Sequence, residues 1–148
     1  RFIFVGRTDG VPRYYAQVRA LIAEYQMLPD RFWFTGPVPD EDLAAFYRWS
    51  DVYVSLSEHE GLCVPLVEPM GADVPVLGYA AGAVPETLGG SGVLFSPKDL
   101  ELAAETMGML VYDAPFREGV LEGQRRRLAD FSSSRIEARL NEVVARFQ

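Results

Sequence analysis

The sequence predicts an α/β fold, a parallel sheet with helices on both faces. Two observations predict it. Short apolar runs alternate with segments of helical spacing in the order βαβαβαβαβ, and further helices follow. An acidic loop, Ser57 to Met70, lies where a strand ends and a helix begins, the junction at which α/β proteins bind ligands. With 49% apolar and 24% charged residues among 148, the chain has the profile of one ordinary globular domain with its own core. We therefore expect a single domain over residues 1–148.

Each element carries its own signal. Phe2-Ile3-Phe4-Val5 is an apolar run ended by Gly6, a buried strand. Pro12 opens a helix with Val18, Leu21, Ile22 and Tyr25 on one face, stopping before Pro29. Arg31 to Thr35 is a second strand, punctuated by Gly36-Pro37. Asp40 suits the N-cap of a helix carrying Leu43, Ala44, Phe46 and Tyr47. Asp51 to Leu56 reads as a buried strand, followed by a helix from about Pro65 to Ala72. Val74 to Tyr79 is the next strand, with Pro75 tolerated at its start. The loop Ala80 to Pro85 feeds a short helix, and Gly89-Gly90-Ser91-Gly92 turns into the strand Val93-Leu94-Phe95. Asp99 caps a helix to about Tyr112, and a further helix covers roughly Pro115 to Ala129. Ser134 and Glu137 form a capping-box pattern for a last helix ending near Phe147.

Charge and cysteine content exclude several classes. A net charge of -7 argues against nucleic acid or an anionic membrane surface as the main partner. Cys63 is the only cysteine, so no internal disulfide framework exists. That favours a reducing compartment, and the chain is expected to be cytoplasmic. No apolar run approaches the ~20 residues that span a bilayer. The chain opens inside a strand pattern without Met, so we expect an excised piece of something longer.

The loop and helix start carry the chemistry. Pro65 begins a helix whose unpaired amides, from about Gly61 to Val64, present a partial positive charge suited to a phosphate. Gly61 lets the main chain approach a ligand closely. Glu68, about one turn into the helix, can accept two hydrogen bonds from a diol, and Glu60 stands before the helix as a second acid. A ligand site for a polyhydroxylated anion is one reading. Acids acting simply as helix-dipole partners is the other.

The surrounding residues resemble a known family. Glu60-Gly61-Leu62-Cys63-Val64-Pro65-Leu66-Val67-Glu68, with Met70 and Pro75-Val76, resembles the signature of family-four, GT-B-fold retaining glycosyltransferases, typically E-G-F-G-x-P-x-x-E-A-M-A-x-G-x-P-V. Arg31 to Gly36 looks like that family's D-R-V-x-F-x-G strand, and Asp40 to Leu43, Tyr47 and Ser50 to Val52 look like its next segment. Gly82 to Glu86 is similar to its G-G-x-P-E loop, and Asp130-Phe131-Ser132 to its boundary before the last helix. The resemblance runs through nearly the whole chain in order.

What the resemblance implies is a Rossmann-like sheet, the carboxy-terminal, donor-binding half of a two-domain enzyme, without that half's first strand and helix. It implies a nucleotide-diphosphate sugar as donor, no cofactor, no metal, and a partner domain that binds the acceptor. A parent enzyme with a membrane-borne acceptor would sit at the membrane periphery. Glu60 would contact the donor sugar near the reacting carbon, and Glu68 the ribose hydroxyls. The amides of Gly61, Leu62 and Cys63 would face the distal phosphate and the sugar. Gly36, Pro37 and Val38 would lie beside the base, and Ser57 at the mouth of the cleft, where its alternative is a turn cap. The isolated chain would lack turnover.

Departures from the pattern keep other readings open. Leu62 and Cys63 replace the usual Phe and Gly, and Pro69 and Asp73 the usual Ala and Gly. The family's upstream Arg and Lys have no counterpart, and Lys98, the only lysine, falls at a distant helix start. These features suit a non-catalytic nucleotide-sugar-binding module or pseudoenzyme. A pyridoxal-dependent phosphorylase or an epimerase fits less well, since His59 is the sole histidine and Lys98 is poorly placed. Arg7 is expected in a surface ion pair, Cys63 as packing or a reactive thiol, and Arg125-Arg126-Arg127 as a solvated helix face.

Overall fold

The computed structural model describes residues 1–147, which fall into two compact units, the first over residues 1–45 and the second from Phe46 onward. In the first, strand β1 (Phe2–Val5) pairs in parallel with β2 (Phe32–Gly36), and α1 (Pro12–Glu24) connects them. Register places Phe2 opposite Phe32 and Phe4 opposite Phe34, and both ring pairs stack, at 5.4 and 4.8 Å between centroids. Tyr15 of α1 meets the Phe34 ring edge-on at 5.1 Å. The buried stripe of α1 is narrower than its spacing predicts. Tyr15, Val18 and Ile22 are half-buried, whereas Leu21 and Tyr25 are exposed, because a two-stranded ladder covers only one row of the helix. A single turn of 3₁₀ helix (Pro29–Arg31) takes Arg31, the residue expected to open β2.

Helix α2 (Asp40–Trp49) starts one residue earlier than expected. Asp40 lies inside its first turn with Glu41 and Asp42, and the Pro39 carbonyl accepts from the Asp42 and Leu43 amides. Acids there still favour the positive end of the helix.

The second unit holds strands β3 (Tyr53–Ser55), β4 (Val76–Tyr79) and β5 (Val93–Phe95), all parallel, with β4 central. Between them run α3 (Val64–Gly71) and α4 (Val84–Leu88), and α5 (Leu100–Tyr112), α6 (Ala114–Leu128) and α7 (Ser133–Ala145) follow. Every strand thus pairs in parallel, as predicted, in one sheet per unit. Successive residues of β4 point to opposite faces. Val76 packs with Leu66, Met70, Val84 and Leu88, and Leu77 with Phe95, Ala103 and Leu110. Helices therefore cover both faces of this sheet.

Strand ends differ from the sequence reading for a physical reason. Pro75 has no N–H to give to a ladder, so β4 begins at Val76 and β3 shortens to match it. The Gln124 carboxamide, on α6, replaces the missing ladder at this point. Its Nε2 donates to the Val74 carbonyl at 2.8 Å and its Oε1 accepts from the Val76 amide at 2.8 Å. Gln124 is 1% exposed, so both bonds are made away from water.

Helix ends are partly as expected. Asp99 caps α5 by accepting from the Glu101 and Leu102 amides, and Asp113 caps α6 through the Phe116 amide. The capping box on Ser134 and Glu137 does not form. Instead α7 starts at Ser133 behind an extended Ser132 that makes no side-chain cap. Asp73 adopts left-handed backbone geometry (φ 56°) after α3, a role that Asp fills better than most residues. Pro69 lies beyond the first turn of α3, which ends two residues later, so few helical bonds depend on its missing N–H.

Candidate functional site

At the carboxyl end of β3 the chain leaves the sheet and runs through Ser57–Leu62 to α3. Gly61 and Leu62 are exposed on this loop, Glu60 is half-buried and Glu68 is exposed on α3. The loop is fastened from beneath by residues around α4. The Ala83 amide donates to the Glu60 carbonyl at 3.2 Å, and the Thr87 hydroxyl donates to the Leu62 carbonyl. Gly82 lies so close that a Cβ there would come within 2.9 Å of the Glu60 nitrogen. Thus the main chain of Glu60 is set by contact with the turn that precedes α4.

Cys63 ends the loop in left-handed geometry (φ 55°, ψ 60°), and its carbonyl accepts from the Leu66 amide at 2.9 Å. Its side chain is 5% exposed and packs against Leu66 and Met70. Burial, then the negative charge of Glu60 and a hydrogen bond donated to that carboxylate, push the thiol up to about 11. Of the two readings, packing is the one that holds for Cys63, because the packed core and the acid outweigh the helix start. Cys63 is expected to resist alkylation in the native chain at pH 8 and to react only as the pH nears 11. Unfolded, it should label like a free thiol, near pH 8.5. Rapid native labelling at pH 8 would contradict the packing described.

Glu68 is held by a residue that the sequence reading did not single out as functional. The Tyr47 hydroxyl donates to Glu68 Oε2 at 2.8 Å. Tyr47 in turn meets Tyr53 edge-on at 5.9 Å. Burial and then the bond to Glu68 raise the Tyr47 phenol well above its ordinary range, so it stays a donor at any physiological pH. Tyr53 is pushed up to about 12 by burial, then by the charges of Cys63, Glu60 and Glu68. Both acids therefore act on one half-buried ring. With Oε2 engaged by Tyr47, Glu68 keeps its other oxygen free to accept from a ligand.

The remaining loop residues are locally paired. Ser57 donates to the His59 carbonyl at 3.4 Å, the turn-capping alternative for that side chain, and His59 itself is exposed. Lys98, expected far from the loop, reaches it. Its Nζ donates to the Leu56 carbonyl at 3.0 Å and to Glu58 Oε1 at 2.7 Å. No local pattern marks Lys98 or Thr87. The available signal was topological, since the carboxyl ends of neighbouring parallel strands converge and Lys98 follows β5 by three residues.

Gly36, Pro37 and Val38 belong to the first unit. Gly36 has φ 73°, and its carbonyl already accepts from the Gly6 amide at 3.1 Å and the Thr35 hydroxyl at 2.7 Å. Pro37 is exposed and Val38 half-buried. Arg7 pairs with Asp9 at 2.8 Å on the surface, as expected. The three arginines of α6 are not one solvated face. Arg125 bridges Asp73 and Glu118 and Arg126 pairs with Glu122, both on the surface, whereas the half-buried Arg127 donates to the Glu86 and Thr87 carbonyls at the end of α4.

Residues 1–127 match the family described as Glycosyl transferases group 1. The 2-deoxystreptamine glucosyltransferase of Streptomyces kanamyceticus is 34% identical over 131 residues, covering 87% of this chain and 33% of that protein. A sulfoquinovosyl transferase of Arabidopsis thaliana is 33% identical over 90 residues, covering 57% and 18%. The chain thus spans a third or less of the length of these relatives. Among solved structures, a glycosyltransferase from Rickettsia africae aligns with a TM-score of 0.80 at 20% identity, over 95% of this chain and 38% of that one. The Anabaena protein HepE, solved in complex with UDP-glucose, gives 0.76 at 22% identity, over 97% and 40%. Sucrose-phosphate synthase of Thermosynechococcus elongatus gives 0.73 at 28% identity, over 98% and 38%. The fold is the Rossmann-like α/β arrangement of the GT-B glycosyltransferases.

Proposed function

The chain belongs to the glycosyl transferases group 1, and on that premise we propose that it is the donor-binding part of a retaining enzyme. That enzyme transfers a sugar from a nucleotide diphosphate to an acceptor hydroxyl. The observation that carries this reading is the pair Glu60 and Glu68 flanking the start of α3 at the carboxyl end of a parallel strand, each acid held in place by a neighbouring element. The first holds its main chain against Gly82 and Ala83, and the second accepts from Tyr47.

In this reading the exposed Gly61–Leu62 segment and the α3 amides receive the diphosphate. They stabilise charge as it develops on the leaving group, an electrostatic role that needs no side-chain nucleophile. Glu68 accepts from the ribose hydroxyls and contributes binding that is uniform between ground and transition states. Glu60 lies nearest the donor sugar and supports the oxocarbenium-like transition state. The wall that binds the acceptor comes from sequence outside residues 1–148, in keeping with relatives of which the aligned part is a third or less. HepE, solved with UDP-glucose on the same fold, supports a nucleotide sugar as the ligand class.

Saturation-transfer NMR on the 148-residue chain with UDP, GDP and ADP, and with their sugar-bearing forms, tests the binding claim. At least one base series should saturate. No transfer from any of them at millimolar concentration would remove the donor-site reading.

A further inference from the structure

The loop that carries Glu60 also carries Glu58, and Glu68 follows on α3, so the segment proposed to receive a diphosphate holds three carboxylates. Negative charge on the same segment as an anion site opposes binding, and compensating any one carboxylate lowers that cost. One of them is compensated. Lys98 reaches from the segment after β5 to Glu58 Oε1 at 2.7 Å and to the Leu56 carbonyl at 3.0 Å. Its ammonium also lies 5.1 Å from the centre of the Tyr79 ring, at the end of β4. One cation therefore ties together the carboxyl ends of all three strands of this sheet. The contact keeps the Glu58 carboxyl below its usual range, through the hydrogen bond first and the charge second.

The geometry points to Lys98 as a positioning residue for the phosphate end of the donor site. By neutralising Glu58 and pinning the Leu56 carbonyl, it lets a diphosphate approach the Gly61–Cys63 amides against one fewer uncompensated negative charge. This inference rests on the donor-site reading above. Lys98 touches no reacting atom and acts through Glu58. The pair is partly open to solvent, with side chains 35% and 58% exposed, so salt should weaken its influence.

Calorimetry on the full chain, with UDP, GDP or ADP against the matching nucleoside, provides the test. K98M should lower diphosphate affinity about tenfold at low salt, and leave nucleoside affinity within twofold. The deficit should shrink as salt rises, and K98R should bind as wild type does. Adding E58Q to K98M should restore diphosphate affinity to within twofold, because the charge that Lys98 offsets is gone. E58Q alone, which leaves Lys98 in place, should bind the diphosphate at least as tightly as wild type, and this holds the test open if K98M folds poorly. Equal losses for nucleoside and diphosphate, no rescue by E58Q, or weaker binding by E58Q alone would overturn the role. A wild-type chain that binds none of the diphosphates overturns the donor-site reading, and this inference with it. Wild-type binding with an unaffected K98M overturns this inference alone.

Discussion

Gly82→Ala should cost the chain most of its affinity for a sugar nucleotide. The new Cβ would sit 2.9 Å from the Glu60 nitrogen and 3.1 Å from its carbonyl oxygen, and both are main-chain atoms that cannot swing aside. Gly82 also has φ 54°, a conformation that costs an L-residue about 1–2 kcal/mol. The Glu60 segment must then shift, and the bond from the Ala83 amide to the Glu60 carbonyl goes with it. We expect a loss of about 2 kcal/mol in stability, from strain and the broken contact. Sugar-nucleotide affinity should fall more than tenfold, since ångström-scale misplacement of a site group is costly. The bare nucleotide should lose less, because Glu68 is fastened separately through Tyr47. Thermal melting with calorimetric titration of both ligands measures the two effects. Unchanged sugar-nucleotide binding in a folded G82A chain would show that the Glu60 position is not set by this turn.

Gln124→Leu should produce the largest loss of stability. The substitution keeps the volume of the side chain but removes the partners of the Val74 carbonyl and the Val76 amide. Each orphaned buried group costs about 1–3 kcal/mol, so the sum is about 3 kcal/mol. For a chain of this size that lowers the melting temperature by about 10 °C. Gln124→Glu should also destabilise, since a carboxylate cannot donate to the Val74 carbonyl and would be buried as a charge. Denaturant unfolding measures the change. A loss below 1 kcal/mol for Q124L would mean that Val74 and Val76 find other partners.

The fold was legible wherever the signal is local. Val93–Phe95 is bounded by a glycine cluster, and Pro12 and Asp99 mark helix starts that the structure reproduces. Misplaced boundaries involve competition between neighbours, as where Pro39 and Ser132 precede helices that Asp40 and Ser134 were expected to open. Gln124 was invisible because a polar residue in the middle of a helix looks like surface. Only the break at Pro75 just before β4, on another element, explains its burial. The site shows the same division. Glu60 and Glu68 lie in one short run and could be read together. Tyr47, Thr87 and Lys98 come from elements before and after that run, and their contacts exist only once the strands are side by side.

The division of labour between the two acids is the most direct test of the donor site. Titrating wild type, E60A and E68A with one nucleoside diphosphate and its sugar-bearing form measures it in a single series. Glu68→Ala should weaken both ligands alike, by about tenfold, because the ribose is common to them. Glu60→Ala should weaken the sugar nucleotide by a similar factor and leave the diphosphate nearly untouched. Equal losses on both ligands from both variants, or no loss from either, would contradict the site.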